Sequence, residues 1–482
     1  MPSDPQTATS DVDAPAATPP PRVGWANDTS LFAGRVVVIF ATKIAQFALG
    51  AASLLLIAVL LGSAPSGEYG VLQTWVGMLF AFGQLGMPSA MTFMAGRGGS
   101  VKSLERIALG LTLAISLSIA AVAIVALPFL KSTMLRAMTS GSTSDDLLIA
   151  MLVAVPLLLL TQFGAGILYT HGANRAYNRI QVVVAAAMLI LTAVLIGFVP
   201  FGVAGAVAAY LVANIAGALA VVYEVHKLAK SSAGSVGGPV SFRAFAQYGL
   251  KLYPQSITSF FSYRADVLLL SWLLGDLRVI GYYVIAVRVA EMTFYVPDSI
   301  AAMLYPAISA SNRAEADRMA PVVSRLAMLT TFMAAVAIVP AGFVLFFVFM
   351  KPEWHAAFPA LVVIMPGIMS LSLSKILASY VSGLGRPIAT AVAGIVGLSV
   401  NLAANILLIP MWGIVGASAA SLISYTCHAS VLLAVSSKWA GVSPLAFIVP
   451  RRAEFERVRK MAMDGLAMVR SLAGPRRGSA AG

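Results

Sequence analysis

The chain has 482 residues, of which 59% are apolar and 11% charged, with a formal net charge of +13. Its mean hydropathy is +0.88, and its apolar runs repeatedly exceed the ~18–20 residues that cross a hydrocarbon core of ~30 Å, so it reads as an all-α polytopic membrane protein. The single cysteine, Cys427, lies inside the last apolar run, which rules out disulfide frameworks and cysteine metal clusters.

Residues 1–30 are rich in Pro, Ala, Ser, Thr and Asp and lack the charged start and apolar core of a secretory signal. A disordered cytoplasmic arm is expected there. Twelve helical spans follow, near 33–61, 69–94, 105–128, 147–169, 180–199, 203–225, 247–274, 279–306, 322–350, 357–383, 388–409 and 414–437. A β-barrel is excluded, because its strands would alternate polar and apolar residues. The expected organisation is a six-helix bundle over 31–230, a cytoplasmic linker over 231–246, and a second six-helix bundle over 247–440. The tail, 441–482, interleaves Arg451, Arg452, Arg457, Arg459 and Lys460 with Phe455, Val458, Met461, Leu466 and Val469. This pattern fits a basic amphipathic helix lying on anionic membrane lipids.

The halves repeat one plan. Tyr169, Gly172, Arg175, Gly202, Gly205 and Ala206 recur at a constant offset as Tyr380, Gly383, Arg386, Gly413, Gly416 and Ala417, and Leu-Leu-Gly at 60–62 recurs at 273–275. Parallel repeats of this length imply two similar bundles facing one another, with a substrate path between them.

Cations fix the orientation. Of the 32 Lys and Arg residues, four lie inside spans and four (Lys131, Arg136, Arg278 and Lys351) belong to the connections after odd-numbered spans. All the others lie in or beside the termini and the connections after even-numbered spans. Because cytoplasmic loops retain cations during insertion, both termini are expected in the cytoplasm of a bacterial inner membrane protein. The net charge is thus a topological signal, and no nucleic-acid partner is implied. Phosphate-cradling loops, paired zinc ligands and nucleophile elbows are not found in a credible context, so neither catalytic residues nor metal ligands are expected. With no Walker-type loop, the energy for transport has to come from an ion gradient or from the substrate gradient.

Charges within spans are costly and demand partners, water or ligand. Lys43 sits about 12 Å into span 1, close to the helix face that carries Gln46. Arg264 and Asp266 in span 7 are two residues apart and point in different directions, so each needs a partner elsewhere. Arg288 and Glu291 in span 8 are spaced for an intrahelical ion pair, and Asp298 follows Pro297. Lys375 in span 10 is flanked by Ser372, Ser374 and Ser379. If Lys43, Arg264, Arg288 and Lys375 converged on the cleft, they would form a positive chamber suited to phosphate or pyrophosphate; scattered structural pairing is the alternative. Asp266, Glu291 and Asp298 are the candidates for charge pairing or for coupling to a proton or sodium gradient.

The run Arg264-Ala265-Asp266, Gly281-Tyr282-Tyr283, Glu291, Pro297 and Tyr305-Pro306 resembles the central signature of bacterial polysaccharide transporters, the oligosaccharide flippase family. Gly385-Arg386-Pro387, Asn401, Asn405, Pro410 and Gly413 through Ala417 resemble its late signature; Gly34-Arg35, Leu61-Gly62, Glu68-Tyr69-Gly70 and Leu85 through Pro88 resemble its first two spans. The resemblance covers about residues 31–440. It implies a V-shaped pair of bundles in the multidrug/oligosaccharidyl-lipid/polysaccharide exporter superfamily. It also implies transfer of undecaprenyl-pyrophosphate-linked oligosaccharide to the periplasmic leaflet for exopolysaccharide, capsule or O-antigen synthesis, with no cofactor and with a polysaccharide polymerase and export complex as partners. A lipid II flippase is the first rival and a multidrug/cation antiporter the second. A membrane scaffold that transports nothing is the third, and it predicts that the intramembrane charges are dispensable.

Overall fold

A computed structural model of the chain describes residues 29–96, 98–133, 145–231, 238–456 and 459. The arm, the central part of the linker and most of the basic tail lie outside the described residues. The chain folds into helices α1 (Thr29–Leu61), α2 (Ser63–Gly83), α3 (Met87–Gly96), α4 (Val101–Thr133), α5 (Asp145–Leu152), α6 (Ala154–Thr170), α7 (Asn174–Thr192) and α8 (Gly202–Ser231) in its first half. The second half contains α9 (Phe242–Leu274), α10 (Leu277–Glu291), α11 (Tyr295–Ala310), α12 (Arg313–Val344), α13 (Ala357–Gly383), α14 (Pro387–Ala440) and the short α15 (Leu445–Ile448).

Eight of the described helices are long and apolar enough to cross a membrane, or nine with the bent pair α2–α3 as one span. The twelve expected spans map onto α1, α2–α3, α4, α5–α6, α7, α8, α9, α10–α11, α12, α13 and the two arms of α14, which part at Gly413 with φ 56°. Several helices run past the expected apolar windows into polar first turns, and α12 carries a side-chain cap there. The Asn312 side chain accepts from the Glu315 N–H at 3.0 Å, supplying an N-terminal helical donor with a partner. The repeated glycines have one structural reason. Gly202 and Gly413 adopt the matching φ values 57° and 56°, which an L side chain tolerates poorly, and so turn each chain directly from one span into the next.

Within the first half α7 packs on α1 and α8, and α6 packs on α8; within the second, α14 packs on α9 and α13. The halves meet through α2 against α10 and through α3 against α9. The first contact is backbone to backbone: a Cβ on Gly67 would lie 1.9 Å from the Leu277 carbonyl oxygen, and one on Gly281 would lie 2.0 Å from that of Ser63. It lies at the face opposite the basic connections, since α2 and α10 both begin there. On the basic face, Phe93 stacks on Tyr248 at 4.1 Å, and the Ser100 N–H donates to the Gly238 carbonyl at 3.0 Å. The end of the linker is thereby strapped to the first half.

The segment after the last span is docked on α12. Arg325 and Glu454 are both buried; Arg325 Nη2 donates to Glu454 Oε1 at 2.8 Å and Nη1 to the Ala446 carbonyl at 2.6 Å. Phe447 fills a core with Leu304, Ile308, Ala320, Ile376 and Tyr380. Burial alone would raise the Glu454 pKa, but hydrogen bonds from Arg325 and the Arg451 N–H together with the Arg325 charge hold it below the usual carboxylate range. This lowered pKa contributes stability above the unfolded-state value near ~4.3 that is lost as pH falls through the lower folded value. Glu454→Ala strands a buried guanidinium and is expected to destabilise by roughly 3 kcal/mol, read as a lower melting temperature in detergent. Acidification below about pH 4 is expected to open wild-type residues 441–456 to pepsin, which is active there, before the spans unfold.

Candidate functional site

Three of the four predicted cations and two of the three acids, Glu291 and Asp298, surround a break in span 8. Glu291 ends α10, about 21 Å along the helix from Leu277 and hence near mid-membrane. There the chain tightens into a 3-10 turn, Met292–Phe294, before α11. Pro297 cannot donate to the carbonyl four residues earlier, which favours the interruption. Span 2, which holds the corresponding place in the first half, is bent by 50° between α2 and α3. Interrupted helices at equivalent places in two repeats are where transporters build binding sites, because freed backbone groups can serve a ligand.

At the break Arg264 Nη2 donates to Glu291 Oε2 at 3.1 Å, Arg264 Nη1 lies 3.0 Å from Oε1, and Arg288 Nη1 donates to Oε2 at 3.2 Å. One carboxylate thus holds two guanidiniums, one from α9 in fork-to-fork geometry and one from its own helix. Arg264 and Glu291 are mostly covered, with side chains 20% and 14% exposed, whereas the Arg288 side chain is 39% exposed. Lys375 Nζ donates to Asp298 Oδ1 at 2.6 Å and lies 3.8 Å from the centroid of the Phe294 ring, so the ammonium rests between an acid and an aromatic face. Asp298 is the more open partner, 54% exposed against 18% for Lys375. On α13, Ser372, Ser374 and Ser379 donate their hydroxyls back to carbonyls of their own helix, Ser379 to that of Lys375, and none of these bonds is to the Lys375 ammonium.

The three cations therefore come with their own acids, and the cluster is a charge-paired network with Arg288 and Asp298 at its open edge. Lys43 lies on α1, and its side chain lies outside the described residues; Gln46 beside it reaches the Asn178 carbonyl at 3.5 Å. Asp266 belongs elsewhere. It is buried, accepts from the Val267 N–H at 2.8 Å, and receives the Tyr283 hydroxyl.

Two sets of residues were not singled out as site residues in the sequence, although Tyr69, Asn401 and Asn405 fall within the motifs that carry the resemblance. Tyr69 and Tyr210 of the first half lie within electrostatic reach of Arg288. Tyr residues in apolar spans carry no distinctive spacing. The second set lines the crease of α14, where Asn401, Asn405, Ser418 and Ser421 are fully buried. Asn405 Nδ2 donates to Asn401 Oδ1 at 3.1 Å, yet Asn401 Nδ2, Asn405 Oδ1 and the hydroxyls of Ser418 and Ser421 have no hydrogen-bond partner among the described residues. Ser421 also approaches the Tyr283 hydroxyl that binds Asp266. An Asn pair at i, i+4 in an apolar span was the available signal.

No protein-family profile matches the sequence. Over 164 residues it is 27% identical to an uncharacterized membrane protein of Methanocaldococcus jannaschii, spanning 33% of this chain and about a third, 32%, of that relative. The fold compares more extensively. The structure superposes on the lipid II flippase MurJ in an inward closed conformation with a TM-score of 0.63, 15% identity, and coverage of 83% of this chain and 87% of that one. It superposes on an inward-facing multidrug resistance MATE transporter at 0.61 and 15%, covering 82% and 94%, and on a point mutant of the Vibrio cholerae MATE transporter VcmN at 0.57 and 16%, covering 85% and 96%. The chain has the V-shaped exporter fold. The break in span 8 packs against α12 and α13 of its own half.

The network predicts strong coupling. Glu291→Gln leaves Arg264 without its counter-ion and is expected to lower the melting temperature more than Arg288→Gln, whose side chain already reaches open space. The double variant Arg264→Met/Glu291→Leu is expected to lose less than the two single losses combined, measured as a thermal double-mutant cycle in detergent.

Proposed function

We propose that the protein is an alternating-access flippase for a polyprenyl-pyrophosphate-linked oligosaccharide. The carrying observation is the position of Arg264, Arg288 and Lys375 beside interrupted span 8. Each is paired with an acid, and Arg288 and Asp298 stand open to an incoming group. A pyrophosphate is a strong acceptor for a guanidinium fork and an ammonium, so it can displace Glu291 from Arg288 and Asp298 from Lys375. The pairs keep the cations tolerable in the membrane when no substrate is bound.

In this reading the sugar and pyrophosphate enter the cleft from the cytoplasmic side, which carries the basic connections, while the polyprenyl tail stays in lipid. Rocking of the first bundle against the second then exposes the headgroup to the periplasm. Coupling to a proton or sodium gradient is assigned to Asp266, a buried carboxylate bound by Tyr283, whose hydroxyl Ser421 of α14 approaches; hard cations take oxygen ligands of this kind. Glu291 and Asp298 are assigned to charge pairing. The fold of the lipid II flippase supports a lipid-linked anionic substrate in general, and lipid II itself is the second reading. A multidrug antiporter would place surplus acids and aromatics at the site, whereas here each open acid is matched by a cation.

The test is the lipid-linked glycan pool of a deletion strain complemented at matched expression. Wild type is expected to clear polyprenyl-linked oligosaccharide from the cytoplasmic leaflet, and Arg288→Ala and Lys375→Ala to clear it at least tenfold more slowly. Normal clearance by both variants would remove the cationic site; an unchanged pool in the deletion strain would remove the glycan substrate, and wall-precursor accumulation would point to lipid II.

A further inference from the structure

On the face opposite the basic connections, an acid of the second half reaches the first turn of a helix of the first. Glu353 lies in the 3-10 turn Pro352–Ala356 that leads into α13. Ser63 Oγ donates to Glu353 Oε2 at 3.0 Å, and Glu353 Oε1 lies 3.4 Å from the place a Cβ on Gly62 would occupy. The N-cap residue of α2 is Gly62, which has no side chain to satisfy the first helical N–H groups. The carboxylate supplies negative charge where the helix dipole and those donors favour it. The turn is anchored, because Trp354 is buried and meets Tyr282 edge to face at 5.6 Å. Tyr282 follows Gly281, whose backbone touches Ser63. Ser63 is thus engaged twice, by its carbonyl against α10 and by its hydroxyl with Glu353.

We infer that Glu353 is a latch that holds the two bundles closed on this face, and that the Ser63–Glu353 contact is made and broken in each transport cycle. The contact is polar and sits beside a glycine crossing that permits close backbone approach. The contact itself buries no apolar side chain, so breaking it is a smaller event than unpacking the neighbouring core residues Tyr69, Val71, Ile280 and Val284 of α2 and α10, and that suits a gate better than a static core contact. The assignment rests on the alternating-access reading for its role in a cycle, while the latch is a statement about which bundle positions are populated.

The test uses the full-length protein with Cys427→Ser and a reporter, Val284→Cys. Val284 is buried and faces α2, since a Cβ on Gly70 would come within 2.9 Å of it; Leu277→Cys serves as a second reporter at the same contact. A membrane-impermeant maleimide added from the face opposite the basic connections reads how often that face opens. Glu353→Ala and Ser63→Ala are expected to raise the labelling rate about tenfold, the scale of one charge-assisted hydrogen bond. Glu353→Gln, which keeps an acceptor, is expected to raise it less. Labelling at the wild-type rate in both alanine variants overturns the latch. A separate variant, Ser63→Cys/Glu353→Cys, is bridged with a bifunctional thiosulfonate. If the bridged protein still clears the lipid-linked glycan pool, alternating access fails while the labelling result still decides the latch.

Discussion

Charge inside the membrane is the constraint on which this architecture turns. A guanidinium at mid-depth is tolerable only with a partner, and Glu291 holds both Arg264 and Arg288. That requirement ties α9 to the end of α10 at the point where span 8 loses its regular hydrogen bonding. Lys375 and Asp298 repeat the solution between α13 and α11. The second bundle therefore carries a preformed, neutralised set of donors, whose acids, in the proposed function, are exchanged for those of a ligand. Exchange of partners is gentler than charging an empty cavity, and it gives the site a resting state.

Symmetry supplies the frame and asymmetry the chemistry. The two bundles share their glycine turns at Gly202 and Gly413 and their interrupted spans 2 and 8, yet the charged network belongs to the second bundle alone among the described residues. The first contributes Tyr69 and Tyr210 near Arg288. Contact between halves is concentrated on α2–α3 against α9–α10, with the Gly67–Gly281 crossing at one face and the Gly99–Gly238 bridge at the other. Glycines let the backbones approach closely at both ends of the seam, while Tyr69, Val71, Leu72 and Val284 pack in the core along it, so a shift of the two bundles has to repack those side chains.

Much of the fold was legible in the sequence because hydrophobic length and cation distribution are strong, additive signals. Twelve spans and the repeat followed from them, and the expected boundaries erred mainly where helices extend into polar first turns, as at Arg313. The Arg288–Glu291 pair was readable from its spacing along one helix. The Arg264–Glu291, Lys375–Asp298 and Asp266–Tyr283 contacts join different helices, and no local periodicity encodes which helix faces which. The intramembrane charges were read as a cationic chamber or as scattered pairs; in the structure Arg264, Arg288 and Lys375 are each paired with an acid, while the Lys43 side chain lies outside the described residues. The α14 crease escaped because Asn and Ser gain meaning there only through burial without partners.

The central claim is that the network at the span 8 break recognises a lipid diphosphate, and its most direct measurement is ligand-induced thermal stabilisation of the purified protein in nanodiscs. Undecaprenyl pyrophosphate is expected to raise the melting temperature of wild type, with undecaprenol giving no shift and Arg288→Ala/Lys375→Ala losing the response. Equal shifts from the diphosphate and the alcohol, or an undiminished response in the double variant, would contradict the account.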